Sequence, residues 1–578
     1  MKSGYQREAG AGADPGSASF ICSEGSRVNG RQTAQLVLAG GSVVTMDPSR
    51  PTAQAVAIRD GRIVAVGSLE ELGPLVGPRT RRIELAGRTV LPGFQDAHVH
   101  PAMAGIGLLR CPLHELTRDL HAYQAAIRAY ATATPDVAWV LGDGWYMEAF
   151  PGGTPRAADL DAVVGDRPAF FVNRDGHGAW VNSRALQVAG INSDSPDPGD
   201  GRIERDAGGV PSGTLHEGAM EIVRRLIPPP TIEDRARGVL LAQAYLHRFG
   251  ITAWQDAWVT PADLAAYRLV AERGDLTGRA IAGLWWDRER GGEQIDELIE
   301  LRRTGTVGRL RAGTVKVMQD GVAENYTAAM LHQYLGEDGR PTGNRGISFV
   351  DPELLKLHVT RLDAEGFQVH FHALGDRAVR QALDALEAAR RSNGPTDGRH
   401  HLAHLQVVDP ADLPRFKALG AAANIQPYWA CNDRQMVKLT MPYLEPERAA
   451  LQYAFRSLLE AGARLVGGSD WTVSTPNVLA EVEVAVTRIS PEDRSAPPFL
   501  PGQAIGLHDA LAAFTSGSAY VNHLDQDSGT ITVGKYADLA VLDRDIFGPD
   551  AGPVGDARVL LTLVEGATVH EDDGLQWT

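Results

Sequence analysis

The feature that most constrains this chain is a repeated alternation between Leu91 and about Ser516, in which short apolar runs give way to amphipathic stretches of helical period. Thr231 to Phe249, Pro352 to Glu365 and Arg377 to Arg390 each read as amphipathic helices and lead towards another apolar run. A strand that rejoins its sheet through a helix runs parallel to its predecessor, so the alternation predicts a parallel sheet. The segment holds enough such units for eight strands. A doubly wound sheet would carry a glycine-rich phosphate turn after its first strand, and this first strand is not followed by one. The expected fold class is therefore α/β, with a (β/α)8 TIM barrel over residues 91–516.

The chain has 578 residues, more than one hydrophobic core normally spans, which favours a second, smaller domain. Short β-branched segments punctuated by Gly occur at Gln35 to Met46, Ala55 to Val66 and Arg81 to Leu91, with a hairpin signal at Arg59-Asp60-Gly61-Arg62. The same texture returns in Gly529 to Leu542 and Val559 to His570. Pairing of the two ends predicts a discontinuous β-sandwich from residues 35–90 and 517–578. Residues from about 110 to 230 are too many for one βα loop and carry strand-like runs of their own, so an inserted subdomain over the barrel mouth is expected. Residues 1–34 are rich in Gly, Ala and Ser without a signal-peptide core and read as a disordered arm of a cytoplasmic protein.

Charge narrows the function. The 56 Lys and Arg against 72 Asp and Glu leave a formal net charge of -16, which repels nucleic acid and anionic membrane surfaces. No apolar run approaches bilayer-spanning length. Cys22, Cys111 and Cys431 are too few and too scattered for a disulfide framework or a cysteine-rich zinc module, so any metal must be held by His and carboxylates. A small-molecule substrate is the expected partner, and a homodimer stays open.

The chemistry begins at Leu91-Pro92-Gly93-Phe94-Gln95-Asp96-Ala97-His98-Val99-His100, where an apolar strand ends in two histidines on one face. At the C-terminal end of a barrel strand such a pair can hold one divalent ion; alone, it could equally be two half-exposed imidazoles. Lys316, in the strand Thr314-Val315-Lys316-Val317-Met318, would carry a costly buried ammonium unless paired with Asp320 or another carboxylate, or unless CO2 adds to it and makes an anionic carbamate ligand. His370 and His372 share a face in Phe367-Gln368-Val369-His370-Phe371-His372, and the later one lies nearer the strand end. His404 sits in Leu402-Ala403-His404-Leu405, and Asp470 leaves the strand Arg464 to Gly468 in Ser469-Asp470-Trp471. A core imidazole and a turn-capping carboxylate are the plain alternatives for these two. Six such groups at the ends of successive strands of one barrel suit a divalent ion, with zinc expected, which lowers the pKa of water to about 7 and polarises a carbonyl. Asp470 would then shuttle the proton.

The succession DAHVH, VKVMQDG, HFHALGDRAV, LAHL and GGSDW resembles the amidohydrolase superfamily, and more narrowly its YtcJ-like branch, amidohydrolase family 3, which includes N-substituted formamide deformylases. The likeness runs from about Gln35 to about Asp545 and includes Gly534-Lys535-Tyr536-Ala537-Asp538-Leu539. It implies metal ligands at His98, His100, His372, His404 and Asp470, with Lys316 as a carboxylated bridge if two ions are bound and as a free amine if one is. Asp175-Gly176-His177-Gly178-Ala179-Trp180 also resembles this branch and makes His177 a substrate-facing residue, with a surface histidine as the alternative. Thr472, where a proline is commoner, and the long N-terminal arm depart from the pattern without touching a proposed ligand.

The resulting expectation is a hydrolase acting on a non-peptide carbon-nitrogen bond of an amide, N-substituted formamide or cyclic amide. A deaminase or a carbamate, ester or lactone hydrolase on the same site is the alternative, and a non-catalytic binding relative is the third. Trp145, Trp180, Trp254, Trp258, Trp429 and Trp471 fall near segments that should border the barrel mouth and hint at an apolar or aromatic substrate, against core packing as the plain reading. Cys431 reads as a buried structural thiol or a residue lining the site.

Overall fold

The computed structural model describes residues 33–577 apart from 114–115, 174–177, 200 and 434–435, so most of the N-terminal arm and His177 lie outside the described residues. Eight parallel strands lie side by side in chain order: β1 Phe94–Val99, β2 Ile251–Val259, β3 Arg279–Trp285, β4 Leu310–Met318, β5 Gln368–Ala373, β6 His401–His404, β7 Ala422–Ile425 and β8 Arg464–Gly467. The first and last meet just past their C-terminal ends. Asp470 N–H donates to the His98 carbonyl at 2.7 Å and His100 N–H donates to the Trp471 carbonyl at 2.8 Å, so the sheet curls into a barrel. Every residue of β1, β6 and β7 is buried, as expected of strands covered on both faces.

The helices form where the sequence period predicts them. Ile232–His247 starts behind Thr231, whose hydroxyl accepts from Asp234 N–H while the Asp234 carboxylate accepts from Thr231 N–H. Asp376–Asn393 buries Ala378, Val379, Ala382, Leu383, Leu386 and Ala389, one face of a 3.6-residue period. Those side chains share a core with Val315, Val369, Phe371 and Leu402 of β4, β5 and β6. The opposite face of β5 points inward and presents Gln368, His370 and His372. No helix among the described residues is long and apolar enough to cross a membrane.

The two chain ends meet in one nine-stranded sheet. Thr89–Pro92 pairs in parallel with Leu36–Val44 and antiparallel with Leu539–Leu542, which in turn pairs with Val559–Val564. Leu91 and Pro92 therefore belong to this sheet, and the barrel begins only at Phe94, after Gly93 N–H donates to the Asp538 carbonyl at 2.8 Å. The crossing falls at Pro92-Gly93, a dipeptide that commonly breaks a strand. Asp60 and Gly61, with φ of +51° and +74°, form the two-residue turn of the hairpin between Thr52–Arg59 and Arg62–Gly67.

Between β1 and β2 the chain builds a separate six-stranded sheet from Cys111–Pro112, Val140–Trp145, Ala169–Asn173, Gly178–Val181, Gly201–Arg205 and Pro211–Glu217. Trp145 and Trp180 are fully buried in its core beside Phe150 and Phe171, and Trp254 is buried in the barrel core. These three tryptophans are packing residues. Trp258 is exposed and stacks on Trp285, with ring centroids 4.3 Å apart. Cys431 is buried, and burial pushes its thiol up to about 12, which disfavours the reactive thiolate.

Candidate metal centre

His98 near the end of β1, His404 at the end of β6 and Asp470 just beyond β8 each offer a ligand atom within 4.8 Å of the others, and all three side chains are buried. Two of these residues hold left-handed backbone that a non-glycine residue rarely adopts, with φ of +80° at His404 and +54° at Asp470. Such backbone persists where surrounding structure imposes it, and hydrogen bonds impose it here. Gln426 accepts from His404 N–H at 2.7 Å, and His98 accepts from Asp470 N–H.

The other expected residues are close by. Asp470 Oδ1 lies 2.9 Å from His100 Nε2 and 3.3 Å from His98 Nε2. The His372 ring lies 4.5 Å from that of His404, centroid to centroid, and its Nδ1 is 3.2 Å from Asp320 Oδ1. Lys316 pairs with His370 in the β4–β5 register, is buried, and its Nζ has no hydrogen-bond partner among the described residues. Asp320 does not engage the ammonium: its carboxylate accepts from Ala329, Leu374 and Gly375 N–H and faces His372.

Electrostatics prepares this set for a cation. Burial, with Lys316 nearby, holds His98 down to about 3, and burial likewise holds His372 below its usual value and His404 well below. Burial alone would raise the Asp470 carboxyl, but the neighbouring imidazoles, His100 first and then His98 and His404, overcome it and keep the group well below the usual carboxylate range. Burial brings the Lys316 ammonium down to about 7, against the charges of Asp470 and Asp320, so much of it is neutral amine near pH 7. Neutral imidazoles beside an ionised carboxylate are the donor set of a divalent site, and the buried His100 Nδ1 and His404 Nδ1 likewise have no hydrogen-bond partner among the described residues. The residues present fit a metal ion.

Several residues around the site were not singled out as functional from the sequence. Asp96 accepts at Oδ1 from the N–H groups of His98 and Ser469 and at Oδ2 from the Ser469 hydroxyl, which ties the end of β1 to the turn carrying Asp470. Asp256 accepts from Ala102 N–H, Trp258 N–H and the Tyr267 hydroxyl. Trp429, by contrast one of the tryptophans expected near the barrel mouth, stacks on His404, with centroids 5.3 Å apart and planes 13° apart. The usable signal for Asp96 and Asp256 was a carboxylate inside an otherwise apolar strand, where burial demands a partner.

The chain has relatives among known proteins. A model of the Amidohydrolase family matches residues 81–570. The chain is 30% identical over 552 residues to Protein LONG AFTER FAR-RED 3 of Arabidopsis thaliana, covering 93% of this chain and 92% of that one. It is 29% identical over 562 residues to the N-substituted formamide deformylase of Arthrobacter pascens, covering 94% and 99%. Among solved structures, an uncharacterized metal-dependent hydrolase from Pyrococcus horikoshii superposes with a TM-score of 0.71 at 24% identity, covering 90% of this chain and 99% of that one, a likeness of fold. With a family match spanning most of the chain and relatives matched over nearly their full lengths, this protein belongs to the Amidohydrolase family.

Proposed function

We propose that this protein hydrolyses a carbon-nitrogen bond of a small amide, N-substituted formamide or cyclic amide, using one or two divalent ions, zinc first among them. His98, His100, His372, His404 and Asp470 are the proposed ligands, with Lys316 as a carboxylated bridge between two ions. The observation that carries this reading is the convergence of His98, His404 and Asp470, from three distant strands, with their ligand atoms within 4.8 Å. The amide class draws support from the relative in Arthrobacter pascens, which is named for N-substituted formamides.

A divalent ion bound in this set supplies an acidified water and withdraws charge from a carbonyl oxygen. The protein's own groups do the rest. His98 and His404 stay neutral and keep lone pairs available. The Asp470 carboxylate, ionised in its buried setting, accepts the proton of the attacking water and returns it to the leaving nitrogen. The Lys316 amine adds to CO2, forming a nitrogen-carbon bond and releasing one proton, and so becomes an anionic oxygen donor. His177, on the inserted segment, is proposed to face the substrate.

Elemental analysis joined to a screen of amides, formamides and cyclic amides for amine release tests the reading. Stoichiometric divalent metal and a released amine are expected, and an active protein without such metal overturns it. Asp470→Asn should lower turnover at least about 100-fold while metal is retained, in line with the loss of a proton shuttle. Undiminished turnover removes Asp470 from that role.

A further inference from the structure

Beneath the metal centre the barrel interior is filled by buried polar side chains: Gln255, Gln368, His370, His401 and Asn424. Their hydrogen bonds can be followed proton by proton, because the chain starts on groups whose roles are fixed. The carbonyls of Arg399 and Val521 can only accept, and Gln368 Nε2 lies 2.8 and 2.7 Å from them, so this atom is the NH2. Gln368 Oε1 therefore faces inward, accepting from the Thr314 hydroxyl at 2.8 Å and from Gln255 Nε2 at 3.0 Å. That orientation turns Gln255 Oε1 towards two imidazoles, 2.7 Å from His370 Nδ1 and 2.9 Å from His401 Nε2. An amide oxygen only accepts, so both ring nitrogens carry hydrogen.

The two nitrogens of buried His370 face the amide of Gln255 and the ring of His98, where an imidazolium would be a buried charge without a counter-charge, so its Nε2 is bare and can only accept. The donor 2.8 Å away is His98 Nδ1. His98 is thereby the Nδ1–H tautomer, with its Nε2 lone pair on the side of Asp470 Oδ1. The second branch agrees independently. His401 Nδ1 accepts from Asn424 Nδ2 at 3.0 Å, the same NH2 donates to the Ala97 carbonyl at 3.0 Å, and Asn424 Oδ1 accepts from Gln426 Nε2. Flipping Gln255 would set oxygen against oxygen at Gln368 and NH2 against the protonated ring nitrogens of His370 and His401.

We propose that the relay Gln368–Gln255–His370 is a positioning device that locks His98 into the tautomer and ring orientation able to bind a divalent ion through Nε2. The inference rests on the reading of His98 as a metal ligand. Outer-shell partners of ligating histidines fix tautomer and orientation in this way, commonly through a carboxylate or a carbonyl. Here the acceptor is a second imidazole anchored on an amide, so the ring is held without adding negative charge to a site that already contains Asp470. His370 is thus assigned away from the metal, and the face it shares with His372 is divided between support and ligation.

Chelator competition and the cobalt(II) absorption spectrum, compared between wild type and His370 variants, test the proposal. His370→Leu removes the acceptor and should weaken metal binding about 10- to 100-fold, the usual cost of losing such a partner. His370→Gln can accept from His98 and donate to Gln255, and should return affinity and spectrum close to wild type. A folded His370→Leu protein with wild-type affinity and spectrum overturns the proposal, as does a His370→Gln protein no better than His370→Leu. Neutron diffraction of wild-type crystals decides the matter even if His370→Leu does not fold: hydrogen on His98 Nδ1 and His370 Nδ1 supports the relay, and hydrogen on His98 Nε2 in place of Nδ1 sinks it. Wild-type protein that binds no divalent ion would instead defeat the proposed function, an outcome distinguishable from these.

Discussion

At the scale of single residues, the site depends on what burial does to charge. Lys316 reaches the barrel interior without a hydrogen-bond partner among the described residues and is drawn down to about 7 by desolvation, the condition under which an amine can add CO2. Lys316→Ala should lose most activity, and short carboxylic acids should restore a measurable part by supplying the missing oxygen donor; wild-type metal loading with no rescue by any acid would remove the carbamate. His247, well away from the site, makes a complementary case. Its Nδ1–H donates to the Ile251 carbonyl, its Nε2 accepts from the Thr277 hydroxyl, and burial lowers it to about 4. The unfolded chain, with a His near 6.5, takes up this proton while the folded chain does not, so stability falls as pH drops from about 6.5 towards about 4 and is complete above that range. The interval corresponds to about 3 kcal/mol at its acid end. His247→Gln should therefore flatten the dependence of melting temperature on pH between these limits, and an unchanged slope would contradict the assignment. The residue types needed for a metal site were legible in the sequence because His and Asp inside apolar strands are costly without a task. Strand period alone did not separate His370 from His372, since both point inward; the family resemblance named His372, and the structure gives the two rings different partners, Gln255 for His370 and Asp320 for His372.

At the scale of elements, barrel closure and the site are the same event. Gly468 follows β8, and a Cβ there would sit 2.5 Å from His98 Cβ, 2.8 Å from His98 N and 2.9 Å from Asn424 Oδ1. No side chain fits without moving β1 against β8. Gly468→Ala should push His98 away from Asp470 and lower both melting temperature and metal affinity, by about 1–3 kcal/mol in stability as for other overpacked sites; a variant with wild-type values of both would show that the contact yields freely. Helices were legible with little error, since Thr231 and Asp351 cap the starts of Ile232–His247 and Pro352–Ala364 as their side chains predict. Strand limits were less so. Leu91 reads as part of the first barrel strand but pairs with Ala540 in the other sheet; Pro92-Gly93 marks a break there, yet the apolar residues on either side do not say which sheet each will join.

At the scale of the whole molecule, the two ends are bound to each other and to the floor of the barrel. Arg279, at the start of β3, is 2.5 Å from both Asp538 Oδ2 and Glu565 Oε1, and Arg279 and Asp538 are buried. Removing one member of a buried pair leaves an uncompensated charge, at about 3–5 kcal/mol. Arg279→Ala should thus destabilise the protein by that order in denaturant unfolding, whereas a loss below about 1 kcal/mol, the range of exposed pairs, would show that water enters the interface. What the sequence determined by itself was the class of fold and the kind of chemistry, because hydrophobic period and buried ionisable residues are local properties that survive without coordinates. What only the tertiary structure decided was proximity and partnership: that His98, His404 and Asp470 meet, that Asp320 serves backbone and His372 in place of Lys316, and that His370 Nε2 lies against His98 Nδ1. Those outcomes depend on distances between residues hundreds of positions apart, and a hydrogen bond is fixed by both of its ends.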